Sequence, residues 1–136
     1  MKRISDDELD GEILAIMKWH VGKDAAITRW QLVREVFGAE VPMHLQNDDN
    51  KEDRAIRLAV SRLRKNGHFI CDLGNGEGKY LAANEDEFWQ LYNRYAKPVM
   101  AGLQTLRAMK KAAEGRWPNV LQPSLFENFD ERELTL

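Results

Sequence analysis

A single cysteine, Cys71, leaves this 136-residue chain without an internal disulfide and is compatible with a reducing compartment. No apolar run approaches the ~18 residues that span a membrane, so a transmembrane helix is not expected. The opening MKRISDDELD turns acidic at once and has no apolar stretch of the kind a secretory leader needs, which makes the cytoplasm the expected location. The three histidines, His20, His44 and His68, have no second cysteine or histidine pair beside them to complete four metal ligands. His68 and Cys71 stand three apart, which puts them on opposite faces of an extended strand, and Cys71 reads as a small buried hydrophobe. No nucleophile motif accompanies the histidines, and the carboxylates gather at helix starts, where capping explains them. Neither an enzyme nor a cofactor nor a metal is expected. Gly74, Gly76 and Gly78 depart from GxGxxG spacing and lead into a strand, which argues against a dinucleotide loop.

The length suits one domain with an extension but not two full domains. A net charge of −2 hides a segregation. Residues 117–136 set Arg132 against Glu127, Asp130, Glu131 and Glu133, net −3, so residues 1–116 stand at +1. Within that part, Lys51 to Lys65 holds six basic and two acidic side chains. Local charge sets what a surface attracts.

Ser5-Asp6-Asp7-Glu8 is a capping box for a first helix, in which Leu9, Ile13, Ile16, Met17 and His20 recur at helical spacing and Gly22 is placed to end it. Ala25-Ala26-Ile27 suits a brief strand. Thr28-Arg29-Trp30-Gln31 then caps a second helix with an inward stripe of Leu32, Val33, Val36 and Phe37, closed by Gly38. The connector from Ala39 to Asn50 carries Pro42 and a polar run that ends in good N-cap residues, and a third helix follows from about Lys51 to Asn66, stopped by Gly67. HFICDL, GNGEG and KYLAA read as a β-hairpin. Three helices followed by a hairpin is the order of a winged helix-turn-helix.

From Asn84 the pattern is helical again. Its acidic start at Glu85-Asp86-Glu87 and basic end at Arg107, Lys110 and Lys111 suit the helix macrodipole. Phe88, Tyr92, Tyr95, Val99, Leu103 and Leu106 form a seam that either covers the core or pairs two copies in a homodimer, and Pro98 predicts a kink or break near Lys97. The expected class is therefore mainly α within α+β: a winged helix domain over 1–83, with the fold proper at roughly 5–83, a long C-terminal helix over 84–115, and a flexible tail over 116–136.

On the third helix, Ile56, Ala59, Val60 and Leu63 share one side, and Arg54, Arg57, Ser61, Arg64 and Lys65 the other, with Leu58 intruding on the basic side. A helix with such a cationic face fits the major groove of double-stranded DNA, where arginine pairs with guanine edges and lysine with phosphates; Lys51 extends the face. Lys79 and the Gly74–Gly78 turn are the wing's candidate contacts. The same pattern also describes a solvated surface beside a purely structural hairpin.

The strings GKDAAIT before helix two, RLRKNGHFI leading into the hairpin, GKYLA in the return strand and the acidic start of the long helix resemble a group of small bacteriophage and prophage winged helix proteins over about residues 10–113. The resemblance implies DNA binding in transcription regulation or replication. It points to Arg54, Arg57, Ser61, Arg64 and Lys65 for the groove and Lys79 for the wing. The connector of residues 39–50 is longer than the usual helix-turn-helix turn, which leaves the angle between helices two and three open.

In the tail, Gln122-Pro123-Ser124-Leu125-Phe126 resembles the short peptide by which many bacterial and phage proteins dock on the DNA polymerase sliding clamp. That family implies polar rim contacts for Gln122 and an apolar pocket for Leu125 and Phe126, with Pro123 departing from the leucine common at its position. The other reading is that Leu125, Phe126 and Phe129 fold back onto the body. An adaptor that recruits the clamp is thus the alternative function.

Overall fold

Residues 4–118 are described by the computed structural model. Among them the elements run α1 (Asp6–Met17), β1 (Ile27–Thr28), α2 (Arg29–Phe37), α3 (Lys51–Lys65), β2 (Ile70–Asp72), β3 (Gly78–Leu81) and α4 (Glu85–Arg116). The described residues are mainly helical with one small antiparallel sheet, an arrangement compatible with the α+β class.

Side-chain caps set the helix starts. Ser5 Oγ accepts the Glu8 amide at 3.2 Å, Thr28 Oγ1 accepts the Gln31 amide at 3.3 Å, and Asn50 Oδ1 accepts the Asp53 amide at 2.9 Å. Gly38, at φ +78°, closes α2 in the left-handed conformation that favours glycine.

Helix α1 stops earlier than its periodicity predicts, at Met17, so His20 and Gly22 lie beyond it. The cause is a non-local competitor for the backbone. The Leu81 amide donates to the His20 carbonyl at 2.8 Å and the Gly22 amide to the Leu81 carbonyl at 2.8 Å, drawing this stretch against the hairpin. Gly22, at φ +90°, turns the chain into a short 3-10 turn over Lys23–Ala25. His20 Nδ1 then lies 2.8 Å from the Ala25 carbonyl oxygen.

The sheet order is β1-β3-β2, with Ile27 opposite Lys79 and Asp72 opposite Lys79 on the other side, so β3 is central. Because neighbouring side chains on a strand point to opposite faces, the sheet serves two apolar clusters. Ile27 and Ile70 join Leu9, Ile13 and Met17 of α1, Leu32, Val33 and Val36 of α2, and Ile56, Ala59, Val60 and Leu63 of α3. Cys71 and Tyr80 cluster with Leu91.

The chain divides into two compact units, Met1–Leu91 and Tyr92–Leu136. The boundary falls inside α4 because its first two turns belong with the hairpin through Leu91. Asn84 Oδ1 caps α4 by accepting the Glu87 amide at 2.9 Å, while Glu87 accepts the Ala83 amide at 2.8 Å and the Lys23 amide at 3.1 Å.

In the second unit α4 runs through Pro98 without a break. Proline there deprives the Arg94 carbonyl of its helical donor, a local cost and not a stop. The buried residues of this unit share only Leu103 with the expected seam. Ala96 and Leu103 are buried, whereas Tyr95, Val99 and Leu106 are exposed. Apolar residues occupy more than one side of this helix, so periodicity alone does not select the side that is covered. No helix among the described residues is long and apolar enough to cross a membrane.

Candidate nucleic-acid interface

Helix α3 is the element that gathers the expected contacts. Ile56, Ala59, Val60 and Leu63 are all buried, which fixes its roll and turns Lys51, Arg54, Arg57, Leu58, Ser61 and Lys65 outward. Leu58 is 59% exposed in the middle of that face.

The six cations of α3 are not equally available. Arg62 is bidentate on Asp10 of α1, at 2.8 and 3.1 Å, and this hydrogen bonding raises its already high pKa despite desolvation. Arg57 donates from Nε to Asp53 at 3.0 Å and from its guanidinium end to the Asp48 carbonyl. Arg64 donates to the Ile70 carbonyl at 2.7 Å and to Asp72 at 2.9 Å, so it leaves the outward face for the hairpin. Arg54 meets Asp49 only at 3.7 Å, with both side chains well exposed. Lys51 and Lys65 are exposed and have no ion pair among the described residues.

Lys79 does not reach out as a wing contact. It lies on the central strand, its side chain is 14% exposed, and Nζ sits 2.6 Å from the Asp72 carboxylate across the sheet. Burial works to raise the Asp72 pKa, but Lys79 and Arg64 prevail and hold it below the ordinary carboxylate value. The exposed tip of the hairpin, Gly74 to Glu77, offers Asn75 and Glu77 and no cation.

A second cluster fixes the relation of α2 to α3 that the long connector leaves open. Buried Asp53, in the first turn of α3, accepts from Arg29 Nε at 3.0 Å and from its terminal nitrogen at 2.7 Å, and Arg29 also reaches Asp48 at 2.7 Å. Hydrogen bonding to Asp53 dominates the rise in the Arg29 pKa, and Arg29 in turn lowers that of Asp48. The guanidinium also lies 4.6 Å from the Trp30 ring centre. Within the connector, Gln46 donates to the Val41 carbonyl and Asn50 to the Leu45 carbonyl, so its polar run folds on itself. Sequence reading missed Arg29, Asp53, Asp10, Arg62 and Asp72. Only the four-residue spacing of Asp53 and Arg57 signals a pair locally.

His68 precedes β2, and buried Cys71 has its thiol pKa raised by desolvation first and then by Glu87. Among the described residues no group of three or more His, Cys, Asp or Glu side chains is arranged to hold a metal. Gln122, Leu125 and Phe126 lie outside the described residues. Comparison with protein-family models, with curated proteins and with solved structures finds no match.

Proposed function

We propose that the first unit is a winged helix that binds double-stranded DNA without catalysing a reaction, with the outward face of α3 in the major groove. The observation that carries this reading is the roll of α3, which buries its apolar side and presents Lys51, Arg54, Ser61 and Lys65 together. The order of helices and hairpin and the three-stranded sheet support it. Lys51, Arg54 and Lys65 are the phosphate contacts, Ser61 faces the groove, and Arg57 contributes only by giving up Asp53. Arg64 and Lys79 act indirectly, by joining α3 to the hairpin through Asp72. The biological setting is regulation of transcription or DNA replication in a phage or prophage.

Fluorescence anisotropy of a labelled duplex at low salt tests the proposal. Binding should weaken for Lys51→Ala/Lys65→Ala and change little for Lys23→Ala. No detectable binding at low salt overturns it.

Exposed Leu58 within the cationic face, with Met43 and Leu45 also exposed in the connector, favours a second reading as a protein-binding adaptor. In that reading the Gln122-Pro123-Ser124-Leu125-Phe126 segment recruits the sliding clamp. Pull-down with clamp should retain the wild type and lose Leu125→Ala/Phe126→Ala; equal retention removes the clamp from the account.

A further inference from the structure

With α3 as the major-groove helix, on which this depends, we infer that Leu58 rests against the C5 methyl of thymine and so favours A·T pairs beneath the middle of that helix. Lys51, Arg54, Leu58, Ser61 and Lys65 follow each other at steps of three, four, three and four. At 3.6 residues per turn they fall within about 80° of arc, one narrow stripe along the helix. All five are exposed, while Ile56, Ala59, Val60 and Leu63 on the other side are buried. Leu58 is the apolar member of the stripe, 59% exposed.

Its place along the axis matters as much as its exposure. Lys51 and Lys65 lie seven residues to either side of it, about 10 Å each way. The major groove is about 12 Å wide, so a helix that brings both lysines to phosphate holds its middle over the base edges. The leucine side chain there has neither donor nor acceptor. Over a G·C pair it would cover the guanine acceptors or the cytosine amino group and leave them unpaired, which is costly. The thymine methyl is the apolar group that a base pair turns into this groove. Ser61, one turn away, supplies a hydroxyl that can meet either kind of edge.

A single exposed leucine is ordinary on a protein surface, and the charge around this one selects its partner. Cores of protein–protein interfaces are apolar and depleted of charge. Leu58 instead sits on a stripe with Lys51, Arg54 and Lys65, and no second apolar side chain of α3 is exposed to widen the patch. Those cations attract a polyanion.

Alternating duplexes test the assignment without a known target sequence, because every docking register presents the same pyrimidine. Anisotropy at one low salt concentration compares an adenine–thymine duplex with its adenine–uracil counterpart, which lacks only the methyl. It also compares guanine–cytosine with guanine–methylcytosine, which gains a methyl at the same ring carbon. Thymine over uracil, and methylcytosine over cytosine, should each improve affinity about four-fold, the effect of burying one methyl group. Leu58→Gln keeps the length and helix-forming tendency of the side chain. It should bring both ratios to one and leave the slope of log K against log salt unchanged. Lys65→Ala should do the reverse, lowering the slope and keeping the ratios. Equal binding of the thymine and uracil duplexes by the wild type overturns the role of Leu58 and leaves phosphate binding standing. A preference that survives Leu58→Gln also overturns it, and assigns the preference to duplex shape. A wild type that binds none of the four duplexes at low salt overturns the major-groove reading itself and leaves Leu58 to a protein partner.

Discussion

The salt dependence of duplex binding measures how many cations the protein can bring to phosphate, and the ion pairs around α3 fix that number. Lys51, Arg54, Arg57, Arg64, Lys65 and Lys79 are the six cations that a reading of sequence assigns to DNA. Arg57 is held by Asp53, and Arg64 and Lys79 are held by Asp72, in pairs of 2.6 to 3.0 Å with one partner mostly or fully buried. Freeing any of these strips a sheltered carboxylate of one of its two cations, a cost that opposes the gain from one phosphate in water. The 3.7 Å contact of Arg54 with Asp49 is solvated on both sides and exchanges for phosphate at little cost. Three cations remain, Lys51, Arg54 and Lys65. At about 0.9 counterions released per phosphate, the slope of log K against log salt should be about −2.7, a loss of roughly 40-fold in affinity between 50 and 200 mM. Six available cations would give a slope of about −5.4 and a loss of roughly 2000-fold. Anisotropy titrations on one duplex at four or five salt concentrations separate the two values easily. A slope near −5 refutes the claim that the pairs withhold their arginines and lysine; a slope near zero refutes phosphate binding itself.

Other consequences concern stability. Arg29→Ala strips Asp53 of its bidentate partner and should destabilise the fold by about 3 kcal/mol, with Arg57 limiting the loss, whereas Arg54→Ala should change the urea midpoint little. The Asp72 carboxyl is depressed in the folded protein, so its stabilisation is complete above its unfolded value near pH ~4 and is lost as pH falls through the folded value. Asp72→Asn should therefore flatten the acid side of the stability profile measured by urea unfolding between pH ~7 and ~3; a profile as steep as wild type contradicts the assignment. A Cβ on Gly78 would stand 2.9 Å from the Ile27 carbonyl oxygen and 2.8 Å from Leu73 Cδ1, so Gly78→Ala should cost about 1–3 kcal/mol. Gly74→Ala, with nothing within 4 Å, should leave the melting temperature nearly unchanged, and equal effects from the two substitutions would contradict the packing argument.

What the sequence discloses about this molecule follows the range of the interactions. Caps act over three or four residues, which is why Ser5, Thr28, Gly38 and Asn50 mark helix boundaries by their identity and spacing alone. The roll of α3 is equally legible, since Ile56, Ala59, Val60 and Leu63 already define a side. The end of α1 is not, because its competitor is the carbonyl and amide of Leu81, more than sixty residues away. The same reasoning limits what a cluster of basic residues implies. Charge counted along a chain is a property of residues, but a ligand meets only the cations whose counter-ions are distant. Arg62 is neutralised by Asp10 from another helix, Arg57 by Asp53 one turn earlier in α3, and Arg64 and Lys79 by Asp72, whose role depends on the hairpin register. Of these, the Asp72–Lys79 pair becomes visible once the turn is placed at Gly74–Glu77, because that turn sets positions 72 and 79 opposite each other. Arg29 and Asp53, by contrast, meet across the connector and have no local signature. The basic cluster of α3 thus does two kinds of work: its inner cations hold α1, the connector and the hairpin to α3, and only its outermost ones remain to attract a polyanion.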